Sequence, residues 1–262
     1  MKHKFVIIVL VLAVAAFGAV LYILEREPVP AAMPTRTDTR KIPEVDLAAL
    51  TAKAEAGDPA AQTSLGQIYL HGSAVKANVK EAAKWFRLAA GENYPDALAA
   101  LGELTQAGQG VPLNIDEAVQ LYQRAAESGS VAGQYDLAYL YEQGTGVKQD
   151  EHEAAKWYQF AAEGGDPVAQ YDIGQRCKLG LGVATNRVQA YKWLALAAAQ
   201  GQADSAKLLP DVQREMSGAE LTEAKQLVEK FTPRGSKNKQ TGVWRSPVDS
   251  RLQQSRRHLS IC

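Results

Sequence analysis

The stretch Ala61-Gln62-Thr63-Ser64-Leu65-Gly66-Gln67-Ile68-Tyr69 decides the fold, because it returns three times at a spacing of 36 residues. The later copies open Ala97-Leu98-Ala99-Ala100-Leu101-Gly102, Gly133-Gln134-Tyr135-Asp136-Leu137-Ala138 and Ala169-Gln170-Tyr171-Asp172-Ile173-Gly174. The register continues without a gap through Gly72, Gly108, Gly144 and Gly180, then Val75, Val111, Val147 and Val183. Asn78, Asn114, Asp150 and Asn186 follow, then Ala82, Ala118, Ala154 and Ala190, and then Trp85, Leu121, Trp157 and Trp193. A fixed period of this length marks a stack of small structural units.

Each position has a physical reason. Ala61, Leu65 and Tyr69 fall at i, i+4 and i+8, one stripe of an α-helix, and Leu101, Leu137 and Ile173 continue the Leu65 column. Glycine just past that stripe ends a helix in the left-handed conformation. The Asn/Asp column then caps a second helix, whose early Glu81, Glu117 and Glu153 suit its positive end. Ala82, Trp85 and Ala89 are the expected buried face of that helix, and Gly129, Gly165 and Gly201 break it before the next unit. Such a helix–turn–helix unit cannot bury its face alone and must stack on neighbours. The expected fold is therefore all-α: a right-handed solenoid of period 36, spanning residues 46–232 as four full repeats with capping half-repeats. Asp46–Ala56 aligns with a leading second helix. Pro210 is expected to kink or shorten a fifth first helix, and Ser217-Gly218-Ala219-Glu220 reads as a capping box for a last one.

The pattern Ala-Gln-x-x-Leu-Gly-x-x-Tyr (Ala61 to Tyr69), then Gly-x-Gly-Val (Gly108 to Val111, Gly144 to Val147, Gly180 to Val183) and Ala-x-x-Trp resembles the Sel-one-like repeat family, a branch of the tetratricopeptide-like superfamily. The first repeat departs mildly, with Ser73-Ala74 in its turn, and Thr105 and Cys177 replace the Tyr69 column residue in two repeats. The resemblance implies a protein-binding adaptor that holds its partner in the inner curve, with members typically working in envelope assembly, signalling or host contact. Cysteine-rich relatives linked to penicillin binding carry a cysteine pair per repeat. This chain has only Cys177 and Cys262, so that activity is not carried over.

Outside the repeats the chain changes character. Lys2 and Lys4 precede an apolar run from Phe5 to Leu24, long enough at 1.5 Å per residue to cross the ~30 Å hydrocarbon core. Residues 1–27 are read as an uncleaved anchor with a cytoplasmic N-terminus, which places the repeats in the periplasm of a bacterium; cleavage would instead release them there. Residues 28–45, with Pro28, Pro30, Pro34 and Pro43, form a spacer. Net charge is zero overall, yet residues 46–232 carry 24 acidic against 16 basic side chains, and residues 233–262 carry 1 against 7. That basic tail, expected to be disordered, has three readings: a solvated end, a contact with anionic lipid or cell-wall glycan through Trp244, or a segment folded back on the acidic body.

Chemistry-bearing patterns are sparse. His3, His71, His152 and His258 are scattered with no metal-ligand spacing, and Ser73-Ala74-Val75-Lys76 falls in a repeat turn without the companion motifs of serine acyl-enzymes. No metal, cofactor or catalytic set is expected, and nucleic acid is not expected among the partners. The first helices offer the binding surface instead. Off their packing stripe lie Tyr135, Asp136, Tyr139 and Glu142 in the third repeat and Tyr171, Asp172, Gln175 and Lys178 in the fourth, with Tyr139 and Glu142 the favoured contacts. The alternatives to an adaptor are a participant in peptidoglycan metabolism and a passive spacer.

Overall fold

The computed structural model describes residues 46–234, and among them the secondary structure is helical throughout. A leading helix α1 (Leu47–Glu55) is followed by four pairs: α2 (Pro59–His71) with α3 (Val79–Gly91), α4 (Pro95–Ala107) with α5 (Ile115–Glu127), α6 (Val131–Gln143) with α7 (Glu151–Glu163), and α8 (Pro167–Leu179) with α9 (Arg187–Ala199). Helices α10 (Ala203–Arg214) and α11 (Gly218–Glu229) close the stack. The expected anchor and linker, residues 1–45, and Trp244 with most of the basic tail lie outside the described residues. No helix among the described residues is long and apolar enough to cross a membrane.

The local signals act as read. The side chains of Asn78, Asn114, Asp150 and Asn186 each accept a bond from a free N–H of the first turn, and Gly72, Gly108, Gly144 and Gly180 end the first helices with positive φ. The break between units is also left-handed at Gly57, Gly129, Gly165 and Gly201, and in the same column Asn93 adopts φ 55°, which asparagine tolerates best among residues bearing a Cβ. Gln62, Gln134 and Gln170 each donate a side-chain bond to a carbonyl near the end of the preceding helix, at 3.0, 3.3 and 3.2 Å, so this motif glutamine ties one unit to the next.

One expectation needs correction. The second helices bury Phe86, Tyr122, Tyr158 and Leu194 fully, whereas Trp85 and Trp157, one position earlier, are only partly buried. The reason is the neighbouring small residue: Gly66 and Gly102 leave room where a Cβ would fall 2.6 Å from Phe86 and 2.9 Å from Tyr122. Of the predicted bulky column, Leu121 and Trp193 are the buried members. At the C-terminus, Pro210 sits inside α10, which continues to Arg214 and is one residue shorter than the first helices before it. Helix α11 then packs on α9 instead of pairing with α10. The connection Glu215–Ser217 is far shorter than Gly180–Asn186, so α11 starts too early to adopt the usual pairing and covers the open face of α9. Its capping box, Ser217 with Glu220, is formed as read.

Within a unit the two helices pack antiparallel, and each second helix also packs on the first helix of the next unit. Neighbouring first helices approach one another directly, α4 with α6 and α8 with α10, more closely than the second helices of the four pairs do. The first helices therefore form the inner layer and the second helices the outer one.

Candidate functional site

The candidate inner-layer residues are not equivalent. Tyr139 on α6 is 46% exposed, the one exposed member of the eight. Asp136, expected off the packing stripe, is buried. Tyr135, Glu142, Tyr171, Asp172, Gln175 and Lys178 are half-buried, and the Gln175 amide donates to the Tyr171 hydroxyl. Most of these side chains are thus already occupied by their own fold.

The centre of that occupancy is a residue the sequence reading passed over. Arg176 on α8 is 3% exposed, and its guanidinium reaches two carboxylates on the preceding unit. Nη2 pairs with Glu142 Oε1 at the end of α6, and Nη1 with Glu151 Oε2 at the start of α7, 2.6 Å away. The Tyr158 hydroxyl donates to the other Glu142 oxygen at 2.9 Å, and the guanidinium lies 5.1 Å from the Tyr158 ring centroid. Tyr135 meets Tyr158 edge-on at 5.3 Å and hydrogen-bonds to Asp172. A signal for this cluster was present in the sequence: Arg176 follows Ile68, Leu104 and Leu140 in one column, and Glu151 follows Val79 and Ile115 in another. A charge appearing in a buried apolar column must bring its partners with it.

Electrostatics follow from that geometry. Burial, with the nearby Glu142 charge second, pushes the Asp172 carboxyl up to about 8, so it holds its proton at neutral pH despite Arg176 on the same helix. Burial likewise raises the Tyr158 hydroxyl, and it pushes the Cys177 thiol up to about 11, which suits an inert packed side chain. Among the described residues no group of histidine, cysteine and carboxylate side chains is placed to hold a metal ion.

The outer layer carries a second feature. A cleft of about 280 Å³ lies between His152, Lys156, Gln159 and Phe160 of α7 and Gly182 and Val183 of the fourth turn. Gly182, at φ 70°, packs against the first residue of α7, where a Cβ would be driven into the Glu151 carbonyl oxygen. His152 Nδ1 closes the same contact with the Gly182 carbonyl at 2.7 Å.

A stack of helix pairs presenting one aromatic, polar inner surface defines a helical-repeat scaffold protein. The chain belongs to the Sel1 repeat family: the family model for the Sel1 repeat matches residues 59–94, 95–130, 131–166 and 167–202. Among solved structures it is similar to a Sel1 repeat protein from Oxalobacter formigenes, with 35% identity and a TM-score of 0.59 over 71% of this chain and 75% of that one. It is also similar to a protective antigen present in uropathogenic Escherichia coli strains and displaying an SLR fold. That match has 26% identity and a TM-score of 0.48, over 76% of this chain and 52% of that one, so the chain spans about half the antigen's length. A comparison with curated proteins finds no match.

Proposed function

We propose that this chain is a membrane-held scaffold that binds another protein along the inner layer of its third and fourth repeats. Sel1 repeats generally act as protein–protein interaction scaffolds, and this chain has four of them. The observation that carries the finer reading is Tyr139: a large aromatic left exposed beside a network that fixes its neighbours. Tyr135, Glu142 and Asp172 are held by Tyr158, Arg176 and one another, so the surface around Tyr139 is organised before a partner arrives. Rigid aromatic anchors in an ordered surround are what interface hot spots need. The apolar run Phe5–Leu24, the two lysines before it and the proline-rich spacer support a single-pass inner-membrane anchor with the repeats on the periplasmic side of a bacterial envelope.

The test is photo-crosslinking in living cells from position 139, with Gln123 on the exposed side of α5 as the control, followed by mass spectrometry. One protein captured from position 139 and not from 123 supports the inner-layer reading. Equal or empty captures at the two positions overturn it.

A further inference from the structure

The described chain does not end where the last helix ends. After α11, residues 231–234 run back across the outer layer. Phe231 lies edge-on to Trp193 of α9 with ring centroids 5.6 Å apart, and Pro233 packs beside Gly165 at the end of α7. Arg234 is held three ways: its N–H donates to the Glu163 carbonyl at 2.8 Å, its guanidinium pairs with the Glu163 carboxylate at 2.6 Å, and it lies 5.4 Å from the Phe160 ring centroid. The strap therefore travels from the fourth repeat toward the third. It arrives at Phe160, which is also a wall of the outer cleft.

The cleft is small. At about 280 Å³ it falls just under the ~300–1,000 Å³ of sites for drug-sized ligands, and it suits one large side chain. Its lining combines an aromatic ring (Phe160), a lysine ammonium (Lys156) and an imidazole (His152), groups that favour an aromatic occupant. Trp244 is the only Phe, Trp or Tyr among residues 235–262. Reach is ample: His152 to Phe160 spans ~12 Å of helix, and Gly235–Val243 covers up to ~30 Å when extended. Charge favours the return as well, since a tail with 7 basic side chains against 1 acidic faces a body with 24 acidic against 16 basic.

We propose that residues 235–244 of this chain dock in the outer cleft between α7 and the fourth turn, with the Trp244 indole as the anchor. The strap is the first part of this contact, and the cleft is its continuation. The tail then latches the third repeat to the fourth from outside and leaves the inner layer free for a protein partner.

The experiment uses the full-length chain with a photo-crosslinking amino acid in place of Gln159, an exposed position on the cleft wall. The expected result is an adduct within one chain, joining position 159 to the peptide that contains Trp244. Trp244→Ala should lower its yield roughly tenfold or more, the effect of losing one large buried side chain. An unchanged circular dichroism spectrum and thermal midpoint would show that the repeats of that variant remain folded. No adduct, an adduct only between two copies, or a yield indifferent to Trp244→Ala would each overturn the proposal. The outcome does not depend on whether the inner layer binds a protein.

Discussion

The junction between the first and second repeats and the junction between the third and fourth share one register and hold opposite chemistry. At the first, Leu104 meets a surface that includes Leu70 and Val79, all members of one apolar cluster. At the last, the same three positions are Arg176, Glu142 and Glu151, joined by two ion pairs. The junction between them is intermediate, with Leu140, Gln106 and Ile115, and there Tyr122 donates to Gln106 at 2.9 Å as Tyr158 does to Glu142. The backbone tolerates the exchange because each set is internally satisfied. An apolar junction is held by burial and is indifferent to detail, whereas an ionic one accepts only one geometry. The end of the stack that presents tyrosine and acid on its inner layer is therefore also the end whose side chains are fixed in place.

The largest effect that would sharpen this comparison is expected at the turn rather than in the triad. Gly182→Ala places a Cβ against the Glu151 backbone at a left-handed φ, and should cost about 3 kcal/mol or more in urea unfolding. The equivalent position in the first repeat is already Ala74. Ala74 does not share the left-handed conformation of Gly182, since among the described residues Asn93 is the non-glycine residue with positive φ. Ala74→Gly should change stability by less than about 1 kcal/mol. Equal losses from the two substitutions would show that the turns do not differ in this way.

Next in size is the triad itself. Arg176→Ala leaves two carboxylates facing each other without their cation and should cost about 3 kcal/mol. Moving the intermediate junction's residues into the last one, with Arg176→Leu, Glu142→Gln and Glu151→Ile together, should return stability to within about 1 kcal/mol of the natural chain. If the triple variant is as unstable as Arg176→Ala, the two junctions are not interchangeable solutions to one packing problem.

Smaller again is a pH effect confined to the ionic end. Asp172 titrates near 8 when folded, against about 3.9 in an unfolded chain, so the folded state binds the extra proton between those values. Its contribution is complete in acid and is lost as pH rises toward 8. The groups around it are Tyr135 and Glu142 on α6, Tyr158 on α7, and Tyr171, Arg176 and Asp166 on or beside α8. Thermal unfolding followed from pH 5 to pH 9 should show stability falling by on the order of 1 kcal/mol, allowing for the part of the side chain that water reaches. Asp172→Asn should flatten that slope. A slope unchanged by the substitution would place the titrating group elsewhere.

Much of this architecture was legible in the sequence because its signals are local. A glycine at Gly144 or an asparagine at Asn114 ends or starts a helix through its own backbone or side chain, and no distant contact is needed to read it. The Phe86 column was missed because it adjoins the Trp85 column at the edge of a wide buried face. Which of the two turns inward depends on the glycine of the partner helix. Helix α11 on α9 depends on the length of a connection rather than on any motif. The Arg176 triad is legible only by difference, as a charge where the same column elsewhere holds Leu104 and Leu140. Glu142 shows the cost of overlooking that difference. Read alone it is a free acidic contact; in the structure it already holds Tyr158 and Arg176.

That occupancy makes Tyr139 the residue on which the functional side of the comparison turns. Its side chain is exposed, so Tyr139→Ala should change stability by less than about 0.5 kcal/mol, the usual scale for a surface substitution. Glu142→Lys would remove a partner of a buried guanidinium, and any loss of binding would then be inseparable from a loosened fold. Tyr139→Ala avoids that confusion: an unaltered fold with a lost partner locates the contact on the inner layer beside the ionic junction. The same substitution with the partner retained would mean that the ordered end of the stack is stiff for a reason other than binding, and that the apolar end is where a partner should next be sought.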